Sequence, residues 1–304
     1  MNISQPHVWY DKSHIHHCGD DMHPENPERV KAIVRRLKGN LSDSIIWHAY
    51  NDSIQDITEE DNEMAGENDR VKHEWHTTDG DTYYTAYTHI ICNRGILMIA
   101  EAIENITYHG LRCGFVFVRP PGHHVGMTTG AQGFCHLNSV WIAVEEFNKR
   151  RVRKIGILDW DVHHGDGTEN CVRENTKRIP GIRFVSLHAY GTGIYPGTGA
   201  NSKDEHVLNV ALPVATKGPA YMTALQTQAI PFLGTPDVLI VSAGYDGHFR
   251  DPMQYMKLRS DTYRHMSEAV KGIGCPVLFV LEGGYCPEAV AESIEETLKV
   301  WIPK

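Results

Sequence analysis

Five short apolar runs, spread through the last two thirds of the chain, restrict what it can fold into more than any other feature. They occupy 115–118, 155–158, 183–186, 238–241 and 277–280, and four of them contain no polar side chain. A strand presents alternate residues to opposite sides, so unbroken apolarity means burial on both faces, as in a parallel sheet covered by helices. Helical patterns near 138–150, 219–230, 258–271 and 287–302 separate the runs. The expected fold is therefore α/β: a single large domain over 1–304, with a mostly parallel central sheet and helices on both faces. Residues 20–110 are less regular, with a helix near 27–38, a strand near 45–50 and a helix near 88–106. Between these elements, the polar, acid-rich stretch from Asp52 to Gly80 reads as a surface excursion.

Charge and cysteine usage narrow the function class. Lys plus Arg total 29 against 38 Asp plus Glu, and a net charge of −9 repels a phosphate backbone, which excludes a general nucleic-acid binder. The seven cysteines contain no C-x-x-C pair, so neither a thiolate zinc knuckle nor a disulfide framework is indicated, and a reducing compartment fits. The N-terminus lacks a basic start followed by an apolar core, and no window reaches the ~18 apolar residues of a membrane span. A cytosolic or nuclear location is expected. The basic run 150–154 closes a helix, where cations complement the dipole, and needs no targeting role.

In open parallel sheets, ligands collect beyond the carboxyl ends of the strands. The segments there are unusually rich in chemistry. After 115–118 comes Arg119-Pro120-Pro121-Gly122-His123-His124, and after 155–158 comes Asp159-Trp160-Asp161-Val162-His163-His164-Gly165-Asp166. After 238–241 comes Ser242-Ala243-Gly244-Tyr245-Asp246, and after 277–280 comes Leu281-Glu282-Gly283-Gly284-Tyr285. Asp161 and His163, two apart on extended chain, point to the same side and can share an ion; Asp246 would complete a three-ligand site with an open position for water. His123 and His124 follow a rigid turn that can present both rings to that water, with Asp159 and Asp166 suitably placed to orient them. Tyr285, delivered by two glycines, offers a neutral donor to a carbonyl opposite the ion.

Together these motifs resemble the zinc-dependent histone deacetylase family, including its bacterial deacylase and acetylpolyamine amidohydrolase relatives. The resemblance begins at His23-Pro24-Glu25-Asn26-Pro27-Glu28-Arg29 and runs through RPPGHH (119–124), GFCHLNS (133–139), DWDVHHGDGT (159–168), SLH (186–188), YPGTG (195–199), SAGYDGHFRDP (242–252) and EGGY (282–285). The wording is closer to class II than to class I. It implies Asp161, His163 and Asp246 as ligands of one catalytic zinc, or ferrous iron in the cell. It implies His123 and His124 as the tandem catalytic histidines, supported by Asp159 and Asp166, with His124 the principal base and acid and Tyr285 the oxyanion donor. Phe134 and Tyr195 would wall the acyl-lysine stem, Gly133 would offer its carbonyl to the substrate amide, and Arg29 would line the exit route of acetate. Oxygens of Asp159, Asp161, His163, Ser186 and Leu187 would hold a structural potassium ion. Asp81 lies near where relatives place a clamp on the substrate backbone, and Met253 stands where one polyamine-selective group places a glutamate.

The activity implied is hydrolysis of acetyl, or another acyl group, from lysine side chains in proteins or peptides, or from related primary amines. An acetylpolyamine or other small-molecule amidohydrolase is the alternative among enzymes. Ureohydrolases such as arginase share the fold, but use two metals with more carboxylates and lack the Tyr285 donor. A non-catalytic acyl-lysine-binding scaffold predicts a broken ligand or proton-transfer set, and every such position is intact here. No direct nucleic-acid or membrane partner is expected; a homo-oligomer is compatible with the sequence. His14, His16, His17 and Cys18 could hold a second metal, but the resemblance places them in a variable, solvated loop at the pocket entrance. His164 is expected to pack or bond to backbone, and Cys135 and Cys286 to be ordinary thiols beside the site.

Overall fold

Each of the five apolar runs becomes a strand of one nine-stranded sheet in the computed structural model, which describes residues 4–20, 22–50, 76–77 and 79–303. In chain order the strands are β1 (His7–Asp11), β2 (Ile46–Tyr50), β3 (His76–Thr77), β4 (Tyr83–Tyr84), β5 (Cys113–Phe117), β6 (Ile155–Asp159), β7 (Ile182–Ala189), β8 (Ser202–Lys203), β9 (Val207–Leu212), β10 (Val238–Ala243) and β11 (Val277–Leu281). The main sheet runs β2-β1-β5-β11-β10-β6-β7-β9-β8 and is parallel except at β8–β9, while β3 and β4 form a separate antiparallel pair. Most of the excursion expected over 52–80 lies outside the described residues.

The principal helices are α1 (Glu28–Asn40), α2 (Thr88–His109), α3 (Ser139–Lys149), α4 (Asp166–Asn175), α5 (Gly218–Ala224), α6 (Ile230–Leu233), α7 (Ser260–Gly272) and α8 (Pro287–Lys299). Local chemistry sets several of their ends. The Asn138 side chain accepts from the Trp141 N–H to start α3, and Gly110, at φ +75°, closes α2 in a left-handed conformation that costs glycine little. The helix expected over 219–230 is interrupted by a π turn, Leu225–Ala229, between α5 and α6. Pro231, just beyond it, has no N–H to donate, and the Ile230 N–H bonds Leu225 five residues back.

Alternation along the central strands builds two cores. On β11, Val277, Phe279 and Leu281 pack with α1, α7 and α8, while Leu278 and Val280 join α2, α3 and α4 on the opposite face. β5 divides in the same way, with Phe115 and Phe117 on one side and Val116 and Val118 on the other. β1 and β9 were not readable as apolar runs. β1 is wholly buried between β2 and β5, yet it carries His7 and Asp11, whose polar groups are satisfied by His48 and by Ser13 and Arg94. Polar residues that find partners only after folding hide a buried strand from a hydrophobicity reading.

Phe279 sits where one core is most aromatic, with ring centroids at 5.4 Å from Phe115, 5.7 Å from Trp160 and 6.1 Å from Trp301. Phe279→Ala should cost about 3–5 kcal/mol of unfolding free energy, through lost transfer energy plus an unfilled cavity. Urea denaturation at pH 7 would read this as a lowered midpoint; an unchanged midpoint would contradict the packing.

Candidate active site

The four strand ends singled out by their chemistry belong to β5, β11, β10 and β6, which are contiguous in the middle of the sheet. Register aligns them: Ala243 lies beside Leu281, and Ser242 beside Asp159. Loops from adjacent parallel strands therefore share one rim. Asp161, His163 and Asp246 meet there with ligand atoms within 4.8 Å of one another, all three residues buried.

This trio fits a cation. His163 Nδ1 is 3.0 Å from Asp161 Oδ1 and 3.1 Å from Asp246 Oδ2, but the second contact lacks hydrogen-bond geometry, leaving Asp246 Oδ2 buried without a hydrogen-bond partner. The other carboxylate oxygens are held by backbone: Asp161 Oδ2 accepts from Gly283 N–H at 2.8 Å, and Asp246 Oδ1 from Val162 N–H at 2.8 Å. Burial and the neighbouring Asp161 push Asp246 up to about 7. Burial would lower the pKa of His163, but the two carboxylates raise it to about 10. A positive charge is thus favoured between them, and two carboxylates with one imidazole make a donor set that fits a metal cation. The pocket is cut to size: a Cβ on Gly283 would fall 2.4 Å from Asp246 Oδ2.

The tandem histidines lie 4.0 Å apart between ring centroids, with their planes tilted by 46°, each tied through Nδ1 to its own carboxylate. His123 reaches Asp159 at 3.0 Å and His124 reaches Asp166 at 2.7 Å. A carboxylate only accepts, so Nδ1 carries a hydrogen in both rings, and His123 Nε2 lies 3.8 Å from Asp161 Oδ1. Burial and the His123 charge lower the His124 pKa to about 4, whereas His123, despite burial, is raised well above its usual value by Asp161 and Asp159. Glu282 was quoted in its motif without a role. It is fully buried and accepts from the N–H groups of Gly122 at 2.7 Å and His123 at 3.1 Å, clamping the turn that delivers both rings.

Around this centre, the Tyr285 hydroxyl makes no hydrogen bond to a described residue, while its backbone N–H is held by Asp251 at 2.6 Å. Burial keeps the phenol protonated. Its ring meets Phe134 edge-on at 5.5 Å, and Tyr195 meets His124 edge-on at 4.9 Å. Gly133 and Phe134 both adopt positive φ, +56° and +66°, in a turn closed by Gln132 and Cys135. A Cβ at Gly133 would strike His124 Cδ2 at 2.6 Å, and Phe134 stores backbone strain of the kind concentrated at functional sites. The turn is anchored by Asp79, which accepts the Gly133 N–H at 2.9 Å, and by Thr82, which accepts that of Phe134 at 2.8 Å. Asp81 is exposed, and it is engaged through its backbone, its carbonyl by His23 and its N–H by Asp79; Met253 is partly exposed beside Asp251. Ser186 is the register neighbour of Asp159 on β7, next to the buried Leu187. His164 bonds side chains rather than backbone, reaching Thr198 at 2.9 Å and Glu169 at 2.8 Å. Cys135 is buried and Cys286 partly so.

Beneath the rim lies a buried ionic layer. Arg119 pairs with Glu25 through Nε and Nη2, at 2.6 and 2.8 Å, and Arg29 reaches Glu25 at 3.0 Å while donating to the carbonyls of Gly284 and Glu282. The Arg29 guanidinium also lies 5.1 Å from the Tyr285 ring centre. The expectation of a solvated loop at His14–Cys18 is corrected for His14 and His17, which are buried with their carbonyls accepting from Arg119 at 2.7 and 2.8 Å, while Cys18 is exposed. Arg119 has more donors than one carboxylate can satisfy, and these two carbonyls supply the rest. His17 also contacts Thr88 through Nδ1 and is kept neutral chiefly by burial.

Residues 23–301 match the Histone deacetylase domain. An uncharacterised protein of Synechocystis sp. is 33% identical over 315 residues, covering 96% of this chain and 98% of its own. Acetylpolyamine amidohydrolase 1 of Pseudomonas aeruginosa is 34% identical over 202 residues, 63% of this chain and 56% of that protein. The crystal structure of the HDA15 HD domain superposes with a TM-score of 0.86 at 28% identity, covering 98% of this chain and 88% of that one.

Glu25 is the sole carboxylate paired with Arg119 among the described residues. Burial would raise its pKa, but Arg119 and then Arg29 hold it well below the usual 4.5. A depressed native pKa adds stability that is complete above 4.5 and drains away as pH falls below it. Glu25→Gln should therefore cost about 3–5 kcal/mol at neutral pH, by stranding two guanidinium groups, and flatten the acid limb of the stability profile. Chemical denaturation between pH 2 and 7 would show it; wild-type and variant curves that stay parallel below pH 4.5 would refute it.

Proposed function

The chain belongs to the histone deacetylase domain family, and from that premise we propose that it is a metal-dependent amidohydrolase that removes acetyl or related acyl groups from lysine side chains or lysine-like amines. One observation carries this reading. Two imidazoles, each held on Nδ1 by its own carboxylate, stand beside an Asp161–His163–Asp246 trio that leaves a buried carboxylate oxygen without a partner.

Those three residues would hold zinc, or ferrous iron in the cell, which when bound lowers the pKa of water and polarises an amide carbonyl. The chain's own groups do the rest. His124, neutral and fixed by Asp166, takes a proton from the attacking water at Nε2 and returns it to the departing amine. His123, charged and fixed by Asp159, sets a positive field beside the carbonyl carbon as negative charge develops. The Tyr285 hydroxyl, protonated and uncommitted, donates to the carbonyl oxygen. Phe134 and Tyr195 enclose the alkyl stem, whose methylenes each contribute ~0.8 kcal/mol on burial. The Gly133 carbonyl accepts the substrate amide N–H, and Arg29 lines the inner route for acetate. Asp159, Asp161, His163, Ser186 and Leu187 supply oxygens for a potassium ion under the same loops, a reading supported by the pairing of Asp159 with Ser186 across β6 and β7.

Met253 is an apolar, uncharged wall and supplies no anchor for a distal ammonium. Acetyl-lysine peptides should therefore exceed acetylspermidine in kcat/KM, and the reverse order would move the assignment to an acetylpolyamine amidohydrolase. Exhaustive chelation should abolish turnover and one equivalent of zinc restore it; full activity in verified metal-free protein would overturn the mechanism. Tyr285→Phe keeps the ring and removes one donor, so kcat should fall on the order of 10²–10³-fold with little change in stability. A near-normal kcat would remove Tyr285 from the reacting set.

A further inference from the structure

We propose that the cavity between the starts of α5 and α7 binds a small organic phosphate. It has a volume of about 550 Å³, and none of its lining residues belongs to the site above. That size suits a small molecule rather than a protein surface.

The charge of this cavity opposes that of the chain. Lys217, just before α5, and Lys257 and Arg259, just before α7, line it from two segments, and none has an ion-pair partner among the described residues. Neighbouring cations are neutralised: Arg250 pairs with Glu292, Arg264 with Glu296 and Lys299 with Glu295. In a protein with a net charge of −9, three permanent cations left unpaired in one concavity attract a multiply charged anion. His265 adds a donor, and Asp261 is the one carboxylate in the lining. Arginine with lysine suits phosphate, which takes a planar guanidinium and a point charge at once.

The cavity is built from rigid backbone. The Lys257 N–H bonds the Thr216 carbonyl at 2.9 Å and the Ala215 N–H bonds that of Tyr255 at 2.8 Å, which fixes the spacing of the two lysines. Arg259 is held at the start of α7 by a 3.2 Å bond from its N–H to Thr262 Oγ1. A Cβ on Gly218 would lie 2.8 Å from that same oxygen, so a side chain there would force the walls apart. Fixed donors lose little freedom on binding.

One wall selects the rest of the ligand. Phe249 is 40% exposed, an unusual state for phenylalanine, and the Arg259 guanidinium lies 5.0 Å from its ring centre. Phe249 and Met222 both line the cavity and offer apolar contact to a ring, while the three cations take the phosphate. The ligand class that matches both halves is a phosphate monoester of an aromatic or heterocyclic group, such as a nucleoside monophosphate.

The test uses the full-length protein and AMP, adenosine and inorganic phosphate as probes, by calorimetry and thermal shift at two salt concentrations. AMP should bind more tightly than either adenosine or phosphate alone, and more weakly as salt rises. The double variant Lys257→Gln/Arg259→Gln should weaken AMP binding roughly tenfold or more, while Lys177→Gln, an exposed lysine elsewhere, should not change it. Met222→Trp, which fills the cavity at constant charge, should also suppress binding. No detectable AMP binding, adenosine or phosphate binding as tight as AMP, or AMP affinity unchanged in both cavity variants would overturn the proposal.

Discussion

Burying several carboxylates against one another is the constraint around which this protein is organised. Asp159, Asp161, Asp246 and Glu282 are all fully inaccessible at the carboxyl ends of the central strands. Isolated, each would cost several kcal/mol to desolvate. They are tolerated because backbone N–H groups are aimed at them: Asp161 N–H at Asp159, His163 and Gly283 N–H at Asp161, Val162 N–H at Asp246, and Gly122 and His123 N–H at Glu282. Parallel strands end with their next amides projecting beyond the sheet, so four contiguous ends provide a dense set of donors. The acids in turn fix the loops, because a loop whose N–H groups bind buried carboxylates has few alternative conformations.

This arrangement explains why small residues crowd the rim. Gly244 and Gly283 both lie where a Cβ would fall within about 2.5 Å of Asp161 or Asp246 oxygens. The charge balance extends downward. Arg119 and Arg29 converge on Glu25, and Arg29 also donates to the carbonyls that flank the Gly283-Gly284 turn. One ionic layer thus supports the loop bearing Tyr285 and the turn bearing His123 and His124. The cost of so much buried polarity is offset by two apolar cores sharing one sheet, whose central strands are apolar on both faces.

Legibility followed burial chemistry. Strands such as Val238–Ala243 and Val277–Leu281 were readable because hydrocarbon faces both cores along nearly their whole length, Ser242 alone being polar. β1 was not, since His7 and Asp11 are polar and find partners on β2, on the turn that follows and on α2. The same limit hid the place of His14 and His17, which look like solvated polar residues until Arg119 accounts for their carbonyls. Glu282 and Asp79 were likewise passed over, because an acid that binds backbone amides leaves no spacing signal among side chains.

By itself the sequence determined the α/β class, the chemistry at each strand end and the pairing of residue types, since these follow from local periodicity and from what side chains can donate or accept. Only the tertiary structure decided that β5, β11, β10 and β6 are neighbours, which brings Asp161, His163 and Asp246 together and pairs each tandem histidine with its own acid. It also decided which cations are neutralised, leaving Lys217, Lys257 and Arg259 unpaired among the described residues while Arg250 and Arg264 are not. The physical reason is range. Periodicity acts over a few residues, whereas strand order and charge balance are set by packing between segments about 40 to 160 residues apart, and no local pattern encodes that.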